Sequence, residues 1–127
     1  MYKNRIEVIG YVGQDAEAKA TSNGRTFTRV SVATTERWKN REGTRQERTE
    51  WHTAVFWGQL ATFAGEYLKK GRHVLIGGPV RSREYDDRDG VRRKVWEIAA
   101  DEFLLLDKAE KRPESDDPFP AETDDTA

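Results

Sequence analysis

The amino-acid sequence predicts an all-β domain of five strands with a single helix between the third and fourth strands. Apolar and polar residues alternate in several short segments, as they do in half-buried strands. The spacing changes to a helical repeat in only one place, residues 58–71. Two turn-forming pairs, Asn23-Gly24 and Asp89-Gly90, mark tight connections between strands.

The first three predicted strands occupy residues 5–13, 26–36 and 48–58. In the first, Ile6, Val8, Gly10 and Val12 alternate with Glu7, Ile9 and Tyr11. Residues 37–48 are too charged to be buried. They predict either a long loop or an extended hairpin that turns near Glu42-Gly43.

The predicted helix presents one apolar face with i, i+3, i+4, i+7, i+8 spacing, made of Leu60, Phe63, Ala64, Tyr67 and Leu68. Gly71 is expected to end this segment. A fourth strand follows at residues 72–85, with a bulge or bend at Gly77-Gly78-Pro79, and a fifth at residues 92–106.

Three strands, one helix and two strands, in that sequence, give the chain order of the OB-fold. This fold is a five-stranded Greek-key barrel that binds oligonucleotides and oligosaccharides. We expect the domain to cover residues 1–108. Residues 109–127 combine three prolines with many acids and predict a short, disordered acidic tail.

Composition excludes several classes of protein. The chain has no cysteine, which excludes disulfides, thiol chemistry and cysteine-based zinc sites. No apolar run approaches the roughly 18 residues of a membrane span, and the first residues lack the apolar core of a secretory signal. This composition is compatible with a reducing cytoplasm.

The charge is distributed unevenly along the chain. All 22 Lys and Arg residues and 17 of the 23 acidic residues lie in residues 1–112, so this part is basic. Residues 113–127 contain six acids and no base. The pattern fits a polyanion partner for the domain, and it equally fits an ordinary mixed surface with a solubilising tail.

Four aromatic residues fall where a core does not obviously need them: Trp38, Trp51, Trp57 and Tyr85. Single-stranded nucleic acid requires flat rings for its bases and a basic track for its backbone. The fourth strand supplies both on one face, as Arg81, Arg83 and Tyr85. A tryptophan on a strand is more often buried, however, so Trp57 taken singly is better explained by a core position.

The remaining candidates favour structural roles. Trp96 shares its strand face with Ile98 and is expected in the core or at a subunit contact. His52 and His73 have neither metal-ligand spacing nor a neighbouring nucleophile. The segment DDRDG lacks the rest of a calcium loop, and no phosphate-binding loop is present. No enzymatic activity, cofactor or metal is expected.

Several motifs resemble the bacterial single-stranded DNA-binding proteins. GYVGQDAEAK resembles the family's first turn, and TERWKN resembles its S-x-x-W segment. TEWHTAVFWGQLATFAGEYLKKG resembles its T-E-W-H, G-x-L-A and Y-L-x-K-G run, and VRSREYDDRDGVRR its basic strand and hairpin. The resemblance covers residues 4–106.

The resemblance implies roles for individual residues. Base-stacking roles fall on Trp38, Trp51, Trp57 and Tyr85, where the family usually has Phe at position 57 and Trp at position 85. Contacts to the DNA backbone fall on Arg5, Lys70, Arg81 and Arg83. His52 corresponds to a residue near subunit contacts, and a single OB domain implies a homotetramer.

The tail departs from the family pattern. Members commonly end in an acidic tip with Pro-Phe at the C-terminus, which docks replication and repair proteins. Here eight residues follow Asp116-Asp117-Pro118-Phe119. The tail therefore lacks the terminal Phe through which such partners dock in the family.

The leading hypothesis is sequence-tolerant binding and protection of single-stranded DNA in replication, recombination and repair. Two alternatives stay open at this point. One is an OB-fold adaptor that assembles replication proteins, and the other is an OB-fold RNA chaperone, which would differ in its treatment of the 2′-hydroxyl.

Overall fold

A computed structural model describes residues 1–107, which form eight strands and one helix. The elements in chain order are β1 (Ile6–Val12), β2 (Ala18–Ala20), β3 (Thr26–Lys39), β4 (Arg45–Trp57), α1 (Gln59–Tyr67), β5 (His73–Gly78), β6 (Val80–Asp86), β7 (Arg92–Ala99) and β8 (Glu102–Leu105). The predicted tail, residues 109–127, and its boundary at Lys108 lie outside the described residues.

The strands form one sheet that curls into a five-stranded OB-fold barrel, as the sequence predicts. β1 pairs with β3, β3 with β4, and β4 with β7 in parallel. β5 and β6 are two halves of the predicted fourth strand, separated by Pro79. Because β5 pairs with β1 and β6 pairs with β7, this strand closes the barrel.

Gly78 allows two segments of backbone to approach closely at this closure. A Cβ atom at position 78 would lie 2.3 Å from the carbonyl oxygen of Ala99, which no side chain tolerates. The fifth predicted strand is likewise divided, into β7 and β8, and β8 pairs with β5. The interruption between β5 and β6 at Pro79 confirms the predicted bend at Gly77-Gly78-Pro79.

The core lies inside the barrel and follows the predicted alternation along the strands. It is built mainly from small β-branched residues, with Phe56 and Ile76 among the largest fully buried side chains. On β4, Ala54 and Phe56 point inward while Trp51 and Trp57 are exposed, because successive side chains of a strand alternate between its two faces. Thr28 is the buried polar residue of the described part, and its hydroxyl donates to the carbonyl of Ala61, 2.6 Å away.

The helix buries only part of its predicted apolar face: Ala64 and Leu68 belong to the core and Leu60 packs against it, as predicted. Ala61, Ala64 and Leu68 are buried, whereas Phe63 and Tyr67 are 43% and 45% exposed. The reason is close packing, since a Cβ on Gly65 would lie 2.8 Å from the backbone nitrogen of Ala18. Only small residues fit on the side of α1 that meets β2.

The charged segment 37–48 is an extended hairpin rather than a loop. β3 and β4 pair continuously from Phe27–Trp57 to Lys39–Arg45. Asn40 organises the turn, because its side-chain oxygen accepts the N–H groups of Glu42 and Thr44. Gly43 has φ +80°, a conformation that favours glycine.

Within residues 1–107 no helix is long and apolar enough to span a membrane.

Candidate nucleic-acid interface

The outer side of the β3–β4 pair presents Trp51 and Trp57 on one face, as the alternation predicts. The register places Trp57 opposite Phe27 and Trp51 opposite Ala33. The two indoles are 40% (Trp57) and 60% (Trp51) exposed, while Ala54 between them is buried on the other side. They are therefore surface rings on a rigid sheet.

Trp51 is held against a glycine. A Cβ at position 13 would lie 2.6 Å from Cζ3 of Trp51, so the indole occupies space that a side chain would fill. The backbone N–H of Gly13 donates to the carbonyl of Ser31 at 2.9 Å, which fixes this loop to β3. The missing side chain thus sets the position of the ring.

Trp57 belongs to a small cluster. Its ring centre lies 5.5 Å from that of Phe27, at 38° between the planes. The guanidinium carbon of Arg25 lies 4.3 Å from the centre of the Trp57 ring. A guanidinium can itself stack on a base and pair with a phosphate. Sequence reasoning did not select Arg25, although it directly follows the predicted Asn23-Gly24 turn.

The β6 strand extends the same side of the sheet. Buried Ala54 on β4 pairs with buried Ile98 on β7, so the odd-numbered residues of both strands point outward. On β6 the outward residues are Arg81, Arg83 and Tyr85, the last 42% exposed. We call Trp51, Trp57, Tyr85, Arg81 and Arg83 the aromatic face.

Glu97 links the arginines of this face. Its carboxylate lies 3.1 Å from Arg83 and 3.8 Å from Arg29, a second arginine that sequence reasoning missed. The Glu97 side chain is only 14% exposed. Since Arg29 projects from β3 on the same side as Phe27, its parity on the strand was an available signal. The carboxylate holds two guanidiniums beside the rings.

Trp38 stands apart from the other three predicted stacking residues. It pairs with Gln46 and so points to the side of the hairpin opposite to Trp51. It is 46% exposed, which confirms that it is not buried. It borders a cleft of about 350 Å³ at the hairpin end, together with Lys39 and Arg45. A strand of nucleic acid reaching Trp38 must pass along the hairpin.

The four predicted phosphate-binding residues have different surroundings. Arg83 pairs with Glu97, as above, whereas Arg81 has no carboxylate within salt-bridge distance among residues 1–107. The Lys70 side chain is exposed, and its backbone N–H donates to Asp15 at 2.8 Å. Asp15 lines a cleft beside Arg29, so Lys70 lies near the edge of the aromatic face.

Arg5 is enclosed by carboxylates. Its guanidinium bonds Asp101 at 3.2 Å, contacts Glu102, and lies 3.4 Å from Glu7. Desolvation lowers the pKa of Arg5, but its hydrogen bonds to Asp101 and Glu102 outweigh this and raise the pKa above its ordinary value. Its predicted role as a phosphate contact stays a prediction.

A second exposed surface lies on the outer side of β1, β5 and β8. The register aligns Ile9 with Leu104 and Tyr11 with Leu106 across β5. All four side chains are exposed, by 42–55%. We call Ile9, Tyr11, Leu104 and Leu106 the apolar face. The His73 ring stacks on Tyr11 there, with the ring centres 4.5 Å apart.

His52 is not on the apolar face. It is half-buried on the inward side of β4, and its Nε2 lies 3.0 Å from the hydroxyl of Thr34. It borders the cleft between the two long hairpins together with Trp96. Its assignment to a subunit interface stays a prediction.

Trp96 corrects one expectation. It is 62% exposed, so a place in the core of this chain is wrong. It shares the strand face of buried Ile98. On the N-terminal side of Ile98, however, the β6–β7 hairpin extends away from the barrel, so among residues 1–107 no further strand or helix covers this face.

Two carboxylates, Asp87 and Asp107, hold neighbouring backbone and arginine groups by hydrogen bonds and have lowered pKa values. Hydrogen bonds from Arg93 and from the N–H of Val91 hold the pKa of Asp87 below its ordinary value and order the β6–β7 turn. Burial alone would raise the pKa of Asp107, but bonds from Arg72 and from the N–H of His73 lower it.

Within residues 1–107 no three His, Cys, Asp or Glu side chains are grouped to hold a metal ion.

Known proteins resemble this chain over the whole barrel. A Xanthomonas campestris single-stranded DNA-binding protein is 46% identical over 103 residues, covering 81% of this chain and 60% of that protein. A Neisseria meningitidis protein of the same name is 42% identical over 106 residues, covering 84% of this chain and 61% of the relative. The aligned part thus spans about three fifths of these relatives.

Single-stranded DNA-binding protein 1 of Xylella fastidiosa is 38% identical over 128 residues, covering 96% of this chain and 94% of the relative. A solved structure, the Plasmodium falciparum SSB complex with single-stranded DNA, matches with a TM-score of 0.72 at 28% identity. It covers 84% of this chain and 97% of that one.

The sequence profile of the single-strand binding protein family matches residues 3–106, nearly all of the described barrel. The same residues form the closed sheet and carry both exposed faces. This chain therefore belongs to the single-strand binding protein family.

Proposed function

We propose that this protein binds single-stranded DNA without sequence preference and protects it during replication, recombination and repair. The aromatic face carries the proposal. Three exposed rings stand on one side of a rigid sheet with arginines between them. Every base has a π-face, so stacking tolerates any sequence, and each stacked base contributes about 1–3 kcal/mol.

Arginines and Lys70 would neutralise phosphates along the strand. Arg81 is available for this role, and Arg25 and Arg83 lie next to rings, where they can contact both base and phosphate. Trp38 would bind a further nucleotide at the end of the β3–β4 hairpin. Nothing in the mechanism requires a nucleophile, a general base or a cofactor, so we propose a binding protein and not an enzyme.

The apolar face supports self-association into a homotetramer. Four exposed apolar side chains in adjacent rows leave a patch that a monomer would expose to water. A second copy covering this patch would leave the aromatic faces of all subunits open to DNA. We place the protein in the cytoplasm, on exposed single strands of the nucleoid.

Fluorescence titration tests the proposal. Adding poly(dT) to the protein should quench tryptophan emission strongly, and the affinity should fall as salt rises because bound phosphates release counterions. Duplex DNA of equal length should bind far more weakly. The proposal fails if poly(dT) neither quenches emission nor binds at low salt. Stronger binding of poly(U) than of poly(dT) would assign the surface to RNA.

A further inference from the structure

The two most exposed tryptophans of the described chain border one cleft. Trp51 is 60% exposed and Trp96 is 62% exposed. The cleft has a volume of about 310 Å³, at the small end of the range for ligand sites. Trp96 has no assigned role in the function proposed above.

The topology creates this cleft. β4 and β7 pair only at Ala54–Ile98 and Val55–Ala99. Toward their N-terminal ends the two strands separate, since β4 continues to pair with β3 and β7 with β6. The two long hairpins therefore diverge, with Trp51 on one wall and Trp96 on the other.

The floor of the cleft is apolar. Ile6, Val80 and Ile98 line it together with the two tryptophans. The N-terminal segment closes it from below, because the Asn4 side chain exchanges two hydrogen bonds with the backbone of Val80, at 2.9 and 3.0 Å. Flat apolar walls over an apolar floor suit a planar aromatic ligand.

The charges favour an anionic neighbour for that ligand. The ammonium of Lys94 lies 5.5 Å from the centre of the Trp96 ring and has no carboxylate within salt-bridge distance among the described residues. The two carboxylates of the cleft are already occupied. Glu97 contacts two arginines, and Glu50 lies 3.9 Å from Arg48.

A base with its phosphate combines these properties, a planar ring beside a negative charge. Trp51 lines the cleft and also belongs to the aromatic face, so a strand stacked on that face reaches the cleft without a gap. A second protein copy is less suitable. The apolar face already offers a larger apolar surface, and Lys94 would need a carboxylate from the partner.

We propose that one base of the bound single strand enters this cleft and stacks on Trp96, with Lys94 on its phosphate. This inference rests on the proposed binding of single-stranded DNA and adds a stacking residue to it. Trp96 pairs with Ser82, on the side of the β6–β7 hairpin opposite to Tyr85. The strand would then contact both sides of this hairpin.

The test compares full-length Trp96→Ala, Trp96→Phe and wild-type protein. Binding to fluorescently labelled oligo(dT) is measured by anisotropy, with the solution mass measured in parallel. We expect Trp96→Ala to bind roughly 5- to 150-fold more weakly at unchanged mass, the loss for one base stack. Trp96→Phe should retain most of the affinity. Phe63→Ala, an aromatic 43% exposed on α1, is the matched control and should bind as wild type.

Photocrosslinking gives an independent readout. Oligo(dT) containing 5-iododeoxyuridine should crosslink to the peptide that carries Trp96, and the Lys94→Ala variant should lower the salt dependence of binding. The inference is overturned if Trp96→Ala binds normally and no crosslink forms there. It is also overturned if affinity falls only together with the solution mass, which would make Trp96 a subunit contact.

The experiment separates this inference from the function on which it rests. If wild type binds oligo(dT) and Trp51→Ala weakens it, but Trp96→Ala does not, only the cleft assignment fails. If wild type does not bind oligo(dT), both fail.

Discussion

The aromatic face and the apolar face both expose large side chains, but the charges beside them differ. On the aromatic face a single carboxylate, Glu97, contacts two arginines, while Arg25 and Arg81 have no carboxylate partner among residues 1–107. At the end of the apolar face, Arg5 is surrounded by three carboxylates. Exposed rings alone do not specify a partner. Aromatic rings beside unpaired arginines favour binding of a polyanion. An apolar patch whose neighbouring arginine is neutralised by carboxylates favours contact with another protein surface.

The largest expected effect comes from disrupting the apolar face. Leu104→Arg places a charge in the middle of this patch and should convert the proposed tetramer into smaller species, measured by light scattering against the 14.6 kDa chain mass. Affinity for long poly(dT) should fall by about 10²- to 10⁴-fold, because linked sites then bind separately.

The control for that variant is Val91→Arg, which adds the same charge at a similarly exposed position in the β6–β7 turn. Its mass should match wild type. Retention of the wild-type mass by Leu104→Arg would show that this face does not hold subunits together.

Removing a ring from the aromatic face should have the next largest effect. Trp51→Ala is expected to weaken binding of short oligo(dT) by about 1–3 kcal/mol, through loss of one stacked base. Isothermal titration at fixed salt measures the change, and Phe63→Ala again serves as the control. Unchanged affinity would mean that Trp51 is structural.

Displacing the Trp51 ring without removing it should weaken DNA binding less than Trp51→Ala does. Gly13→Ala forces the indole of Trp51 to move, because the new Cβ would lie 2.6 Å from it. We expect a loss of about 0.5–1.5 kcal/mol in binding, the cost of holding a side chain off its preferred rotamer.

A double-mutant cycle identifies the cause of that loss. In a Trp51→Ala background, Gly13→Ala should have no further effect on DNA affinity. Additive losses would instead indicate that the substitution disturbs the loop as a whole.

The smallest expected effect is on the salt dependence of DNA binding, which should differ between arginine variants of the two faces. Arg81→Ala should lower the slope of log affinity against log salt by about 0.7, the value for one phosphate of a single strand. Arg5→Ala should lower it less, because Glu7, Asp101 and Glu102 already neutralise its charge. An equal reduction in both variants would place Arg5 on the DNA path and remove this distinction between the faces.

Local patterns predicted most of the barrel. Alternation located the long strands, and the turn pairs Asn23-Gly24 and Asp89-Gly90 lie where the structure bends, with both glycines at positive φ. The short strand β2 was missed, because three residues carry too little periodicity to detect. The buried side of α1 was predicted only in part: Ala64 and Leu68 are buried, but Phe63 and Tyr67 are exposed. The helix packs closely on β2, and a helical repeat carries no information about that contact.

The sequence by itself determined the order of the elements along the chain, the separation of inward Phe56 from outward Trp51 and Trp57, and the exposure of Trp38, because all follow from local periodicity, turn pairs and local charge. Only the tertiary structure decided which charges meet. Arg5 lies 96 positions from Asp101, and Glu97 contacts arginines from two other strands. The exposure of Trp96 was also decided there, because strands that leave the barrel keep their alternation but lose the layer that would cover them.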